Sequence, residues 1–93
     1  MIYSFADRKT ADFFAERRSR SLPPSIQRVA LRKLAQLHAV TKLEQLGVPP
    51  GNRLEALKGR QVGFHSIRIN DQWRIRFRWE GEGAHEVEII DYH

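Results

Sequence analysis

The chain has 93 residues, 41% of them hydrophobic, with 16 Lys+Arg against 11 Asp+Glu for a net charge of +5 and no cysteine. That length supports a single domain over residues 1–93, and the apolar fraction suits a compact core and argues against disorder. Without cysteine, disulfides and thiolate zinc sites are excluded, while the excess of arginine, whose fork matches phosphate geometry, favours a polyanionic partner.

In chain order, Ile2 to Phe5 is rich in β-formers and predicts a short strand. Asp7 and Arg8 bring charge too early for a secretory signal, and no apolar run approaches the ~20 residues of a membrane span. The expectation is a soluble cytoplasmic protein with no membrane partner. Asp7 suits the cap of a first helix, in which Ala11, Phe14 and Ala15 share one stripe with Phe13 beside it. Ser19 to Pro24 ends that helix, and Pro24 suits the first turn of the next. From Ser25 to Ala39 the apolar positions Ile26, Val29, Ala30, Leu34 and Leu37 follow helical spacing, with Arg28, Arg32 and Lys33 mostly elsewhere. Thr41-Lys42-Leu43-Glu44 reads as a capping box for a short helical turn ending near Gly47.

Val48 to Asn52 is a loop by composition. Four strands are expected beyond it: Arg53 to Leu57, Phe64 to Ile69, Trp73 to Trp79 and His85 to Asp91. Turns at Gly59–Gly63, Asn70-Asp71 and Gly81-Glu82-Gly83 separate them. Helices first and strands second predict an α+β fold with the helices on one face of an antiparallel sheet.

The Trp73 strand alternates cleanly. Trp73, Ile75, Phe77 and Trp79 point one way, and Arg74, Arg76 and Arg78 the other. Ile67, Ile69, Val87 and Ile89 join the apolar face. Ser66, Arg68, Glu86 and Glu88 fall on the polar one, where the glutamates can neutralise arginines across the sheet. A row of guanidiniums in that setting is either a phosphate-binding face or an ordinary solvated face tied by cross-strand pairs.

Metal catalysis has little support, because His38, His65, His85 and His93 are scattered and no His-x-x-x-His pair occurs. His38 suits a helix end or the surface, His85 an exposed strand start, and His65 a part-buried structural place. No Gly-x-Ser-x-Gly elbow or Gly-Lys-Ser/Thr phosphate loop is present. Acid–base chemistry on a phosphate remains. RNA supplies its own 2′-hydroxyl nucleophile, so a protein need add only a proton acceptor, cations for the phosphorane and an acid for the 5′-oxygen. Lys58 and Arg74 are the candidate cations, and Glu55, Asp91, Tyr92 and His93 the candidate proton handlers. By itself Asp91-Tyr92-His93 also fits a frayed end.

Three stretches resemble the HigB branch of the RelE/ParE toxin superfamily, GraT-like members included. They are Asn52-Arg53-Leu54-Glu55-Ala56-Leu57-Lys58-Gly59, His65-Ser66-Ile67-Arg68-Ile69-Asn70-Asp71-Gln72-Trp73-Arg74-Ile75 and Val87-Glu88-Ile89-Ile90-Asp91-Tyr92-His93. The resemblance spans nearly the whole chain. It implies a RelE-like microbial RNase fold, an N-terminal helical hairpin packed on a twisted antiparallel β-sheet. It also implies the toxin of a type II toxin–antitoxin system that needs neither cofactor nor metal and cuts mRNA in the A site of the 70S ribosome. Cleavage would leave 2′,3′-cyclic phosphate and 5′-hydroxyl ends. The implied partners are a HigA-like helix-turn-helix antitoxin and, through it, operator DNA.

By the same resemblance, Arg74 contacts the scissile phosphate, Lys58 binds substrate or the transition state, and Asp91, Tyr92 and His93 form a C-terminal catalytic group. Arg68, Arg76 and Arg78 are candidate substrate contacts. Glu55 stands where some relatives carry histidine; a carboxylate suits a base better than an acid, which opens the division of labour. Asn70 stands where some have arginine, and Arg68 is a nearby substitute. The competing readings are a ParE-like, non-hydrolytic inhibitor of DNA gyrase and a non-catalytic nucleic-acid-binding domain.

Overall fold

The computed structural model describes residues 1–48 and 50–91. Two helices, α1 (Arg8–Glu16) and α2 (Pro24–Ala39), precede four strands, β1 (Glu55–Ala56), β2 (Phe64–Arg68), β3 (Trp73–Glu80) and β4 (Gly83–Asp91). The strands form one antiparallel sheet in the order β1-β2-β3-β4. Short 3₁₀ turns at Leu43–Gly47, Pro50–Asn52 and Gly59–Gln61 carry the chain from α2 to the sheet. This is the expected α+β arrangement.

One core joins the layers. Phe13 of α1 and Ile26, Ala30, Leu34 and Leu37 of α2 bury themselves against Ile67, Ile75, Phe77, Val87 and Ile89. The alternation read in β3 holds, since Ile75 and Phe77 are fully buried beneath the helices. In β4 it is interrupted. Arg76 faces Glu88 while Arg78 faces His85, so three steps of β4 match two of β3. Glu86 takes up the extra residue at φ 53°, as a bulge requires. The β3–β4 hairpin closes through Gly81 and Glu82 between the paired Glu80 and Gly83. Gly81 has φ +63°, which suits the first position of a two-residue hairpin turn.

Asp7 caps α1, its Oδ1 accepting from the Thr10 amide at 2.7 Å. The buried residues of α1 are Thr10 and Phe13, not the expected stripe of Ala11, Phe14 and Ala15; Ala11 and Phe14 are half-buried and Ala15 exposed. The reason lies in β4. Its Ile89 amide donates to the buried Thr10 Oγ1 at 3.3 Å, so the helix turns a hydroxyl toward the sheet edge. Residues 1–6 treat the same edge. They make two parallel bridges, Ile2 to Ala84 and Phe5 to Val87, rather than the expected strand. The amides of Ala84, Glu86 and Val87 donate to Met1 O, Ser4 Oγ and Ser4 O. An edge strand whose amides are occupied offers no template for further pairing.

Three other expectations change. Lys33 lies on the buried side of α2, not with Arg28 and Arg32. The turn at Leu43–Gly47 is capped by Gln45, whose Oε1 accepts from the Thr41 and Lys42 amides, rather than by Glu44. The strand expected over Arg53 to Leu57 shortens to Glu55–Ala56, because Arg53 takes φ 46° and turns the chain at that point.

Candidate functional site

The polar face of the sheet is built by register. Glu55 pairs with Ser66, Ser66 with Arg76 and Arg76 with Glu88, placing four polar residues in one row across all four strands. The next row holds Arg68, Arg74 and Ile90. Paired residues share a face, so Glu55, Ser66, Arg68, Arg74 and Arg76 occur together as the alternation in the sequence implies.

Arg74 differs from its neighbours. Only 7% exposed, it donates from Nε to Ser66 Oγ at 2.8 Å and from Nη2 to the Arg53 carbonyl at 2.7 Å, with a longer bond to Ser66 O at 3.4 Å. These bonds fix the plane of the guanidinium between β2 and the chain entering β1. Glu55, two residues beyond Arg53, stands on the same side of that corner. The site is therefore a rigid buried cation beside an exposed carboxylate.

Arg68 pairs with Asp71, Arg76 with Glu88, and Arg78 with both Glu80 and Glu86. Gln61 also accepts from Arg76 at 2.9 Å. Lys58 is exposed at the turn into Gly59–Gln61, two residues past β1. Asp91 pairs with Trp73, so the register puts it on the helix-side face, opposite to that of Arg74. Its Oδ2 accepts from Gln72 Nε2 at 3.1 Å. Tyr92 and His93 lie outside the described residues.

Several contributors were missed by sequence reasoning. Ser66 orients Arg74 through its hydroxyl and carbonyl; its polar-face position was visible, its role was not. Lys33 is buried at 7% exposure, its Nζ donating to the carbonyls of Gly51, at 3.3 Å, and Arg68. Burial foremost, then the charges of Arg32, Arg68 and Arg74, push its ammonium below the usual lysine range. Asn52, 2% exposed, donates to Gln36 Oε1 at 3.0 Å and Leu46 O at 2.9 Å. Together these side chains pin residues 51–53, and so the carbonyl that holds Arg74. The sequence did carry a signal for Lys33. It sits seven residues after Ile26 and three after Ala30, on the helical stripe itself.

His38, His65 and His85 serve the fold. His65 is half-buried and stacked on Phe77 at 6.1 Å. Burial lowers its pKa from 6.5, with a Gly63 backbone hydrogen bond pulling the other way. His38 Nδ1 accepts from the Ile2 amide at 3.0 Å, and His85, half-buried rather than exposed, stacks on Tyr3 at 5.1 Å. Among the described residues, no three His, Cys, Asp or Glu side chains are grouped so as to hold a metal ion, and no helix is long and apolar enough to cross a membrane.

A helix pair on a four-stranded antiparallel sheet with an arginine-bearing outer face is the RelE-like toxin architecture. A YoeB/ParE toxin from Agrobacterium tumefaciens shares that fold with a TM-score of 0.53 and 21% identity, over 99% of this chain and 96% of the other. The family model for the RelE-like toxin of the type II toxin–antitoxin system HigB matches residues 3–93. Toxin HigB-1 of Vibrio cholerae is 40% identical over 80 residues, covering 85% of this chain and 84% of that protein. An uncharacterized Haemophilus influenzae protein is 34% identical over 68 residues, covering 73% and 67%. The chain belongs to the HigB-like family of RelE-type toxins, and membership of a type II system implies an antitoxin as partner.

Proposed function

We propose that this toxin is a ribosome-dependent endoribonuclease that cleaves mRNA in the ribosomal A site without a metal ion. The reading rests on one observation above all: a guanidinium held by Ser66 and Arg53 beside the carboxylate-bearing strand β1. Cations fixed before the substrate arrives stabilise a phosphorane without reorganising.

In the proposed reaction the 2′-hydroxyl oxygen attacks the adjacent phosphorus and the bond from phosphorus to the 5′-oxygen breaks. Glu55 takes the 2′-hydroxyl proton, Arg74 and Lys58 stabilise the phosphorane, and the C-terminal residues Tyr92 and His93 supply the acid that protonates the leaving oxygen, with Asp91 held by Gln72 on the other face as their anchor. Histidine suits that role because it titrates near neutrality. The products are a 2′,3′-cyclic phosphate and a 5′-hydroxyl. Arg68, Arg76 and Arg78 contact flanking phosphates by exchanging their carboxylate partners. A HigA-like helix-turn-helix antitoxin neutralises the protein in the cytoplasm, and the complex binds its own operator through the antitoxin.

The test is purified toxin added to translating ribosomes, with and without chelator. Messenger ends bearing cyclic phosphate, unchanged by chelator, are expected. Intact messenger together with blocked gyrase would instead establish a ParE-like mode.

A further inference from the structure

The net charge of +5 has to reside somewhere, and the sheet is not where most of it is left uncompensated. Arg68, Arg76 and Arg78 each carry a carboxylate. Residues 17–43, by contrast, contain no aspartate or glutamate at all. Among the described residues, no carboxylate comes within 4.0 Å of Arg17, Arg18, Arg20, Arg28 or Arg32. All five are exposed.

These arginines are displayed by an ordered elbow between α1 and α2. Gln27 reaches back from the first turns of α2, its Nε2 donating to the carbonyls of Ser19 at 2.8 Å and Leu22 at 2.9 Å. Its Oε1 accepts from the Ser19 amide at 3.3 Å, and the Ser19 and Ser21 hydroxyls bond each other. Arg18 and Arg20 flank Ser19, and Arg28 follows Gln27. One clamp therefore fixes the backbone that carries all three arginines. Arg32 continues the line one turn along α2, a rise of roughly 6 Å. The hollow of about 580 Å³ that Arg18 and Arg20 line also holds Lys9, Asp12 and Glu16; Asp12 is engaged by Arg8 at 3.6 Å, and Glu16 alone does not offset Lys9, Arg18 and Arg20, so the elbow keeps a cationic excess.

We propose that this elbow docks the phosphate backbone of duplex RNA, at a surface separate from the sheet face that would hold the scissile bond. The proposal rests on the ribonuclease reading and extends it, assigning the toxin's grip on structured RNA to the helices and its chemistry to the sheet. Composition selects the partner. A protein interface is anchored by apolar and aromatic side chains, yet among the described residues the exposed large hydrophobics are Met1, Tyr3, Val48 and Val62, none of them in the elbow. Arginine without apolar anchors matches phosphate contacts that position a partner without reading its bases.

The probe is a short RNA duplex of arbitrary sequence, titrated with purified toxin over a range of salt concentrations. In the R18Q/R20Q/R28Q variant, affinity at low salt should fall roughly tenfold or more, and the slope of log K against log salt should drop by roughly two. The R18K/R20K/R28K variant should bind within about threefold of the parent, because phosphate accepts a point charge as well. Antitoxin binding should stay unchanged in both. Parental affinity and slope in the glutamine variant would overturn the proposal, as would loss of antitoxin binding in place of RNA binding. Messenger cleavage on ribosomes is scored separately. A parent that binds duplex through the elbow but cuts no message would sink the ribonuclease reading, whereas a glutamine variant that binds duplex normally would sink the docking surface.

Discussion

Arg74 and Ser66 act as a pair. Arg74→Ala should lower single-turnover cleavage by roughly two to three orders of magnitude, the usual effect of removing one preorganised charge-stabilising donor. Ser66→Ala leaves the cation but frees its plane. A loss of roughly tenfold in the chemical step, about 1.4 kcal/mol, is expected, with binding nearly unchanged. Parental single-turnover rates in Ser66→Ala would show that orientation by the hydroxyl is irrelevant. His65 gives a different residue-scale prediction. Its pKa in the folded chain is below 6.5, mainly through burial. Well above pH 6.5 the ring is neutral in both states and contributes no pH dependence. As pH falls through 6.5 the unfolded chain takes up a proton that the folded chain resists, so stability declines until the lower folded pKa is passed. Urea midpoints measured downward from neutral pH should show this decline, and His65→Phe should flatten it.

Among the elements, the passage from α2 into β1 is held by the buried Asn52. Asn52→Ala strips donors from Gln36 and the Leu46 carbonyl. Leaving such groups unsatisfied costs about 1–3 kcal/mol, readable as a shift in urea midpoint. The edge of β4 depends on Gly83. A Cβ there would stand 2.1 Å from the Tyr3 ring and 2.6 Å from the Met1 carbonyl oxygen. The ring can swing into solvent but the backbone cannot, so Gly83→Ala should detach residues 1–4 and lose hydrogen-exchange protection at the Ala84 amide.

These elements also show what sequence could tell. The alternation of Trp73 to Trp79 fixed both faces of β3 because hydrophobicity has a period of two there. It also placed Ser66, Arg68 and Arg74 on one side. The stripe of α1 misled because a buried hydroxyl, Thr10, replaced an apolar residue to satisfy a strand amide. The bulge at Glu86 left no signal, since a glutamate at positive φ has no compositional mark. Whether the arginines face solvent alone or with glutamates was left open by spacing, and register decided it.

For the molecule as a whole, acidic residues gather in the sheet half, while Arg17, Arg18, Arg20, Arg28 and Arg32 of the helical half have no carboxylate within 4.0 Å among the described residues. Division of charge by layer gives the helices and the sheet two different surfaces. The layers themselves stand or fall on β4, which lies beside β3, supports both helices and receives residues 1–6. A chain ending at residue 82 retains both helices and three strands, yet should show no cooperative thermal transition by circular dichroism. A sigmoidal melt from that fragment would refute the central place given to β4.

The bond from the Glu86 amide to Ser4 Oγ joins positions 82 apart in sequence, and that of Ile89 to Thr10 joins positions 79 apart. Such contacts close late, because the long intervening loop must be ordered first. During synthesis the first segment and α1 emerge with their docking strand still unmade. The sheet edge formed by β4 therefore reaches its final arrangement only after residues 83–91 have been made.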